Sequence, residues 1–230
     1  MGAEVDGSTD VALVLGGDGT ILSTLRLYAG RDVPVFAINF GAIGFLATVE
    51  GDDLTAGFDR ALAGEFEVLS LPALTFTSEG REHLALNDVS FHRHPELRVA
   101  ELGYSVEGEE LGMVRCDGLV AATPAGSTGY NLANGGPVLA WGVEGYVVSF
   151  IAPHTLTARA LVVAPDNPLE VTNRSAEEPV EVTTDGRAVG ALGPQESTEV
   201  RYRPDAAMLA QTPGASFYHR LREKFGRLAT

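Results

Sequence analysis

Residues 11–25 read VALVLGGDGTILSTL, and this stretch decides the fold of the N-terminal part of the chain. The apolar run Val11–Leu15 predicts a buried β-strand, and the residues from Ile21 onward predict the start of a helix. The glycines between them let the backbone come close to a ligand, and the helix N-terminus behind them offers unpaired N–H groups to an anion. The stretch therefore predicts a phosphate-binding loop. Its residues are Gly16, Gly17, Gly19 and Thr20.

One carboxylate, that of Asp18, lies inside this predicted loop. A carboxylate that faces a polyphosphate repels it unless the acid holds a metal ion or accepts a proton from an attacking hydroxyl. The loop therefore indicates phosphoryl transfer. Taken alone, it leaves a plain Gly/Asp turn open as the alternative, because glycine-rich motifs also occur without phosphate binding.

Composition limits the classes of protein to which the chain can belong. Its 230 residues can form one large or two small domains, and its net charge of −15 argues against nucleic acid, whose phosphates must be neutralised by Lys and Arg. The apolar stretches have the length of strands, so we predict no membrane span and no signal peptide. Cys116 stands alone, which excludes an internal disulfide and suits a reducing cytoplasm.

The hydrophobic pattern changes character near residue 65. Before it, strand-like runs alternate with helical spacing, as in an α/β layer fold. Between residues 65 and 205, short β-rich segments are separated by Gly, Pro, Asn and Asp, which predicts a β-sandwich. At the end of the chain, Phe217, Leu221 and Phe225 recur at helical spacing and predict an amphipathic helix over residues 216–228.

Further polar motifs follow the glycine loop in a fixed order. They are NFGAIGFL (39–46), NDVS (87–90), RCDG (115–118), TPAGSTGYN (123–131), GGP (135–137) and DGR (185–187). In order and spacing these motifs resemble those of the NAD kinase family along nearly the whole chain. The GSTGY stretch with its preceding DG is the most specific part, whereas GGDGT is also similar to the loop of lipid kinases.

The resemblance implies a Rossmann-like α/β domain followed by a β-sandwich, with a C-terminal helix that returns to the first domain. The implied domains are residues 1–64 with 206–230, which bind the phosphate donor, and residues 65–205, which bind NAD. Relatives carry a further strand and helix ahead of the GGDGT loop, whereas fifteen residues precede Gly16 here. We therefore expect the α/β domain to lack its first strand and helix.

The implied reaction moves the terminal phosphoryl group of ATP or polyphosphate to the 2′-hydroxyl of the adenosine ribose of NAD, giving NADP. Asp18 is the implied catalytic acid residue, and Mg²⁺ or another divalent ion arrives with the donor phosphates near Asp18 instead of in a cage of protein ligands. Asp117 resembles a residue that completes the NAD site of a neighbouring subunit, so a homodimer or homotetramer is implied.

Several residues match the family's NAD contacts. Asn87 and Asp88 stand where relatives have an Asn-Glu pair that holds the adenine and ribose, and Asp88 is one methylene shorter than that Glu. Ala125 stands where many relatives have a hydroxyl. The resemblance implies NAD contacts for Asn87, Asp88, Asp117, Thr128, Tyr130, Ala152 and Asp185.

Each of these residues also has a plainer structural interpretation. The Asn87-Asp88 pair is compatible with an Asx turn at a strand end, and Ser127 and Thr128 are compatible with caps of the next helix. Asp117 and Asp185 each precede glycine, which is typical of hairpin turns. His92 is predicted to be a solvated imidazole and not a metal ligand.

Two other functions remain open from the sequence. The first is a lipid or sphingoid-base kinase, which shares the GGDGT loop. The NDVS and TPAGSTGYN motifs and the lack of a basic membrane-binding helix disfavour it. The second is a dinucleotide-binding sensor without catalytic activity, which the changes at Asp88 and Ala125 leave open.

Overall fold

The computed structural model describes residues 8–39, 44–50, 54–78, 80–94, 96 and 98–226. Residues 40–43 of the NFGAIGFL motif and residues 227–228 of the predicted C-terminal helix lie outside this part of the chain. The chain divides into two compact units, one of residues 1–71 with 204–230 and one of residues 72–203. The sequence predicted domain boundaries after residues 64 and 205. Whether these boundaries separate independently folding domains stays a prediction.

The elements are numbered in chain order. The strands are β1 Ala12–Leu15, β2 Pro34–Asn39, β3 Val49–Glu50, β4 Glu67–Ser78, β5 Arg81–Ala85, β6 Asp88–Arg93, β7 Ala100–Val106, β8 Glu109–Cys116, β9 Gly118–Ala122, β10 Tyr146–Ile151, β11 Leu161–Val163, β12 Leu169–Asn173, β13 Val180–Thr184, β14 Arg187–Leu192 and β15 Ser197–Gln211. The helices are α1 Asp18–Leu27, α2 Leu54–Ala63, α3 Tyr130–Ala133 and α4 Phe217–Phe225, and a 3₁₀ turn spans Gly126–Thr128.

The first unit is a small parallel α/β layer, as the sequence predicted. Strand β2 pairs in parallel with β1, with β3 and with the C-terminal half of β15. Helix α1 buries Ile21 and Leu25 completely, and α2 contributes the buried Ala61 to a core that includes Phe36 and Ile38 of β2. This parallel arrangement places the end of β1 and the start of α1 at the glycine loop.

The predicted C-terminal helix is confirmed as α4, and it packs on the first unit. The ring of Phe45 lies 6.1 Å from the ring of Phe217 and 5.9 Å from that of Phe225, measured between centroids. The Nζ of Lys224, the only lysine in the sequence, lies 4.8 Å from the centroid of the same Phe45 ring. Among the described residues, no helix is long and apolar enough to cross a membrane.

The second unit is the β-sandwich that the short strands predicted. One sheet has the antiparallel order β11-β10-β9-β6-β13-β14. In the other, β7 lies between β8 and β12, and β12 pairs with the N-terminal half of β15. Alternate residues of both sheets point inward and form one apolar core. Its members include Phe91, Leu102, Leu119, Val171 and Val182, all fully buried.

Candidate active site

The glycine loop joins β1 to α1 and makes Asp18 the first residue of the helix. The backbone N–H of Gly16 donates to the carbonyl of Ile38 in β2 at 3.0 Å, so the loop begins at the end of the neighbouring strand. The N–H groups of Thr20 and Ile21 then donate to the carbonyl of Gly17 at 2.9 and 3.1 Å. The earlier N–H groups of the first turn have no acceptor within the helix, and the helix dipole favours an anion beside them.

The carboxylate of Asp18 is held by the backbone of a distant segment. The N–H of Phe45 donates to its Oδ2 at 3.0 Å, and the N–H of Leu46 donates to its Oδ1 at 3.2 Å. Each carboxylate oxygen has a second lone pair, so Asp18 retains the capacity to accept a further hydrogen bond from a hydroxyl. The geometry orients the acid without using up its acceptor sites.

Gly44 makes this arrangement of Asp18 possible. A Cβ added to Gly44 would lie 2.1 Å from Oδ1 of Asp18, which is closer than non-bonded atoms approach. In the sequence, Gly44 is part of the NFGAIGFL motif, and this motif alone does not indicate a function for it. The structure therefore adds Gly44 to the residues that position the candidate catalytic acid.

In the second unit, the TPAGSTGYN motif lies directly against the turn that precedes β6. The N–H of Thr123 donates to the carbonyl of Asn87 at 2.9 Å, and its hydroxyl donates to the carbonyl of Leu86 at 2.6 Å. The Thr123 hydroxyl also accepts the N–H of Gly126 at 3.1 Å. A Cβ on Gly126 would lie 2.0 Å from the carbonyl oxygen of Asn87, so this close approach requires glycine.

Asp185 also belongs to this turn, although it lies far away in the sequence. Asp185 and Gly186 join β13 to β14 with φ angles of 47° and 74°, as a two-residue hairpin turn requires. The hairpin alternative is thus correct for Asp185. Its carboxylate accepts backbone N–H groups from residues 86–88, at distances of 2.7 to 3.2 Å. A contact between Asp185 and NAD stays a prediction.

Asp88 is a buried acid, only 7% exposed. Within the described ranges its carboxylate accepts no hydrogen bond, so the Asx-turn alternative is wrong for this residue. Burial, together with the negative charge of Asp185, raises the pKa of Asp88 from 3.8 to about 7. Asp88 is therefore a titratable group near neutral pH, and its contact with the ribose of NAD stays a prediction.

Tyr130 is held by stacking. Its ring lies parallel to that of His92, with centroids 5.6 Å apart and an interplanar angle of 17°. His92 Nε2 lies 2.8 Å from the hydroxyl of Ser90, which lies 2.7 Å from that of Thr183. The prediction that His92 is merely solvated was wrong, because the ring is half-buried and its burial lowers its pKa. No sequence signal linked His92 to Tyr130.

The phenol of Tyr130 lies in an acidic environment. Burial is the main cause of its raised pKa, and the charges of Asp88 and Asp117 add to it. Two other predicted NAD-contacting residues, Asp88 and Asp117, therefore both lie within electrostatic reach of Tyr130. The structure brings them together although they are distributed over more than forty residues of sequence.

Asp117 lies between β8 and β9 and makes contacts with β6 and β10. Its carboxylate pairs with Nε of Arg93 at 2.5 Å, and its N–H donates to the carbonyl of Ile151 at 2.9 Å. The hairpin alternative for Asp117 is wrong, because β8 and β9 on either side of it belong to different sheets. Ala152 follows Ile151, the residue bonded to Asp117, and is exposed with a φ of 43°; its contact with the base stays a prediction.

Ser127 and Thr128 do not cap the helix that follows them, so that alternative is wrong. The Ser127 hydroxyl donates to the carbonyl of Pro124 at 2.7 Å and accepts the N–H of Leu139 at 2.9 Å. The Thr128 hydroxyl donates to the carbonyl of Ala125 at 3.1 Å. These bonds stabilise the 3₁₀ turn and leave Thr128 half-buried.

The buried acid makes a testable difference to stability. Because the pKa of Asp88 is raised in the folded state, its ionisation lowers the free energy of unfolding. This destabilisation is complete above about pH 7 and disappears as the pH falls toward 3.8. We expect Asp88→Asn to raise the free energy of unfolding more at about pH 8 than at about pH 5, by roughly 1–3 kcal/mol. Urea unfolding at both pH values measures this difference. The exposed Asp166→Asn is the control, and equal differences for both variants would contradict the assignment.

Together, the fold and these residues define a kinase with an acid-bearing glycine loop in an α/β unit and a cluster of polar side chains on a β-sandwich. Family models agree with this class. Residues 1–66 match the ATP-NAD kinase N-terminal domain, and residues 86–212 match the ATP-NAD kinase C-terminal domain. The chain belongs to the NAD kinase family, as its motifs predicted, and is thus a phosphotransferase.

Two NAD kinases are similar to this chain over most of its length. The chain is 38% identical to the NAD kinase of Gemmatimonas aurantiaca over 231 residues, covering 96% of this chain and 78% of the relative. It is also 38% identical to the NAD kinase of Symbiobacterium thermophilum over 224 residues, covering 95% and 79%. Both relatives therefore correspond to nearly all of this sequence.

Solved structures share the fold. An NAD kinase from Archaeoglobus fulgidus in complex with ATP matches with a TM-score of 0.79 and 28% identity, covering 94% of this chain and 82% of that one. Yeast NADH kinase complexed with NADH matches with a TM-score of 0.87 and 24% identity, covering 96% and 67%. The second likeness is one of fold.

Proposed function

We propose that this protein transfers the terminal phosphoryl group of ATP to the 2′-hydroxyl of the adenosine ribose of NAD, producing NADP and ADP. One observation carries the proposal more than any other. An acid at the first position of a helix, oriented by two backbone N–H groups, stands in a glycine loop whose remaining N–H groups suit phosphate. The Archaeoglobus relative in complex with ATP supports ATP as the donor.

The glycine loop binds the donor in this proposal. Gly17, Gly19 and Thr20 are exposed, so their backbone can approach the phosphates. Among the described residues no three His, Cys, Asp or Glu side chains converge on a metal site, while Asp18 is a single oxygen ligand of the kind Mg²⁺ accepts beside phosphates. A bound Mg²⁺ would neutralise charge on the donor phosphates, and Asp18 is the residue that would hold it there.

Asp18 acts on the acceptor hydroxyl. Its carboxylate accepts the proton of the 2′-hydroxyl as the oxygen forms a bond to the terminal phosphorus of ATP. The bond between that phosphorus and the bridging oxygen breaks, and ADP leaves with the electron pair. Most of the rate comes from orientation, which the N–H groups of Phe45 and Leu46 provide for the acid.

The second unit binds NAD. Asn87 and Asp88 contact the adenine and ribose, while Thr128 and Tyr130 line the adenosine pocket. Ala152 packs against the base. Asp117 reaches the nicotinamide end of a dinucleotide bound by a neighbouring subunit, so the active protein is a homodimer or homotetramer.

A substitution of Asp117 tests this shared site. Asp117→Ala is expected to raise the KM for NAD by about 10–100-fold with little change in kcat, because it removes a charged hydrogen bond made equally in the ground and transition states. Arg93→Gln removes the partner of Asp117 and is the control for loss of the ion pair. An equal rise in KM for both variants, or a fully active monomer by light scattering, would contradict the shared site.

An assay of NADP formation tests the proposed function. NAD or NADH is offered as acceptor, ATP or polyphosphate as donor, with Mg²⁺ or with a chelator. We expect NADP from NAD with ATP and Mg²⁺, and its loss with the chelator. Binding of NAD without turnover under every condition would indicate a dinucleotide sensor, and phosphorylation of a sphingoid base instead of NAD would indicate a lipid kinase.

A further inference from the structure

We propose that Asp185 is a positioning residue for the acceptor site, which holds the backbone of residues 86–88 so that Asn87 and Asp88 face NAD. This role differs from the direct NAD contact expected from the sequence, which stays a prediction, and it rests on the proposed function because the ligand it serves is NAD. Asp185 reaches the turn from a different hairpin, nearly one hundred residues later in the chain.

The hydrogen bonds of Asp185 account for every N–H group of the turn. Its Oδ1 accepts the N–H of Asn87 at 2.7 Å and that of Asp88 at 3.2 Å, and its Oδ2 accepts the N–H of Leu86 at 3.2 Å. The N–H of Asp185 in return donates to the carbonyl of Asp88 at 2.9 Å. Bonds to an ionised acceptor are stronger than neutral ones, so one carboxylate determines the conformation of three residues.

The remaining backbone groups of the turn are satisfied from the opposite side. Thr123 occupies the carbonyls of Leu86 and Asn87 through its hydroxyl and its N–H. In the described part of the chain, the side chains of Asn87 and Asp88 make no hydrogen bond of their own. The backbone N–H and carbonyl groups of this turn are therefore all hydrogen-bonded within the protein, and its two polar side chains can bind a ligand.

Strand register places Asp185 where it can do this. Strand β13 pairs with β6 so that Thr184 lies opposite Val89, which puts the β13–β14 turn beside the residues before β6. Asp185 has a φ of 47°, a conformation that Asp and Asn adopt more readily than most residues. The hairpin therefore places the Asp185 carboxylate within hydrogen-bond distance of the turn.

Asp185 also acts on Asp88 electrostatically. Burial is the larger cause of the raised pKa of Asp88, and the charge of Asp185 is the second. Among the described residues, the ionisable groups near this cluster include Tyr130, whose raised pKa has contributions from the charges of Asp88 and Asp117, and Arg93, which is paired with Asp117. Arg187 follows the Asp185-Gly186 turn at the start of β14. Ionised Asp88 accepts hydrogen bonds from ribose hydroxyls, so affinity for NAD should rise with pH through about 7.

Two variants separate the effects of Asp185. Asp185→Gly removes the carboxylate and tolerates the positive φ, whereas Asp185→Asn keeps the shape and one acceptor oxygen but removes the charge. We expect Asp185→Gly to raise the KM for NAD by about 10–100-fold with kcat changed by less than about threefold, and Asp185→Asn to have a smaller effect. Asp166→Asn, an exposed turn aspartate of the same unit, is the control and should match wild type.

The pH profile provides a measurement that a purely structural role would not change. In wild type the KM for NAD should fall as pH rises, with a midpoint near the pKa of Asp88, about 7. In Asp185→Asn that midpoint should move to lower pH, because one cause of the raised pKa is gone. An unmoved midpoint, or an unchanged KM in both variants, would overturn the proposal.

Calorimetric titration of NAD without any donor keeps this test separate from the proposed function. If wild type binds NAD but forms no NADP, the proposed function fails while the role of Asp185 can still be measured as affinity. If wild type is active and both Asp185 variants bind NAD as tightly as it does, the role of Asp185 fails alone. Circular dichroism of each variant confirms that it is folded before either comparison.

Discussion

Asp18→Asn is expected to lower kcat by about 10²–10⁴-fold while the KM for NAD stays within a few-fold of wild type. In the proposed reaction this carboxylate accepts the proton of the attacking hydroxyl, and an amide cannot do so. The residues proposed to bind NAD lie in the other unit of the chain, so the affinity for NAD should change little. Steady-state rates with saturating ATP measure both parameters.

A substitution of Asp18 also changes its two hydrogen bonds with backbone N–H groups, so a second variant is needed to separate loss of catalysis from loss of local structure. Asn keeps one acceptor oxygen but places an NH₂ group against the N–H of Phe45 or Leu46, which costs some stability. Asp18→Ala loses both bonds and should be less stable than Asp18→Asn while equally inactive. If Asp18→Asn retained more than about a tenth of the wild-type kcat, Asp18 would be a structural cap and not the base.

Gly126→Ala is expected to abolish tight NAD binding and to lower the free energy of unfolding by about 1–3 kcal/mol or more. The added Cβ would lie 2.0 Å from the carbonyl oxygen of Asn87, and backbone atoms cannot move aside as a flexible side chain can. Either the turn of residues 86–88 or the 3₁₀ turn must shift. Calorimetric titration of NAD and urea unfolding measure the two effects.

Ala125→Ser is the matched control for Gly126→Ala. It adds one atom, a hydroxyl oxygen, to the neighbouring buried residue. We expect it to leave stability nearly unchanged and to lower the KM for NAD by a few-fold. Wild-type affinity in Gly126→Ala would show that the close approach to Asn87 is unimportant for the NAD site.

The sequence predicted the elements that depend on local patterns. The apolar run followed by GGDGT indicated β1, the loop and α1, because strand periodicity, glycine and a helix start are all local signals. The spacing of Phe217, Leu221 and Phe225 indicated α4 for the same reason. The motif order then indicated the family, and the family models agree.

The contacts that orient the site were not predictable in this way. Asp18 is held by residues 27 and 28 positions later, and Asp185 holds residues nearly one hundred positions earlier. Such pairs depend on the tertiary arrangement of segments that are far apart in the chain, which no local pattern of hydrophobicity encodes. Ser127 was expected as a possible cap because Ser favours caps, whereas its actual partner Leu139 lies beyond the next helix.

Glycines show the same division between local and long-range information. Gly44 and Gly126 each belong to a sequence motif. The atom that leaves no room for a side chain at each position belongs to a residue far away in the sequence. For Gly44 that atom is the Asp18 carboxylate oxygen, and for Gly126 it is the Asn87 carbonyl. The sequence shows that glycine is present at these positions, but it does not show which contact requires glycine there.

Transfer to the 2′-hydroxyl of NAD is tested by a comparison of NAD with an analogue that lacks only this hydroxyl. Wild-type protein, ATP and Mg²⁺ are incubated with each dinucleotide, and ADP and NADP are quantified by chromatography. With NAD we predict equal amounts of ADP and NADP, and with the 2′-deoxy analogue no ADP above the level formed by Asp18→Asn. Equal ADP formation with both dinucleotides, or no NADP from NAD, would contradict the account.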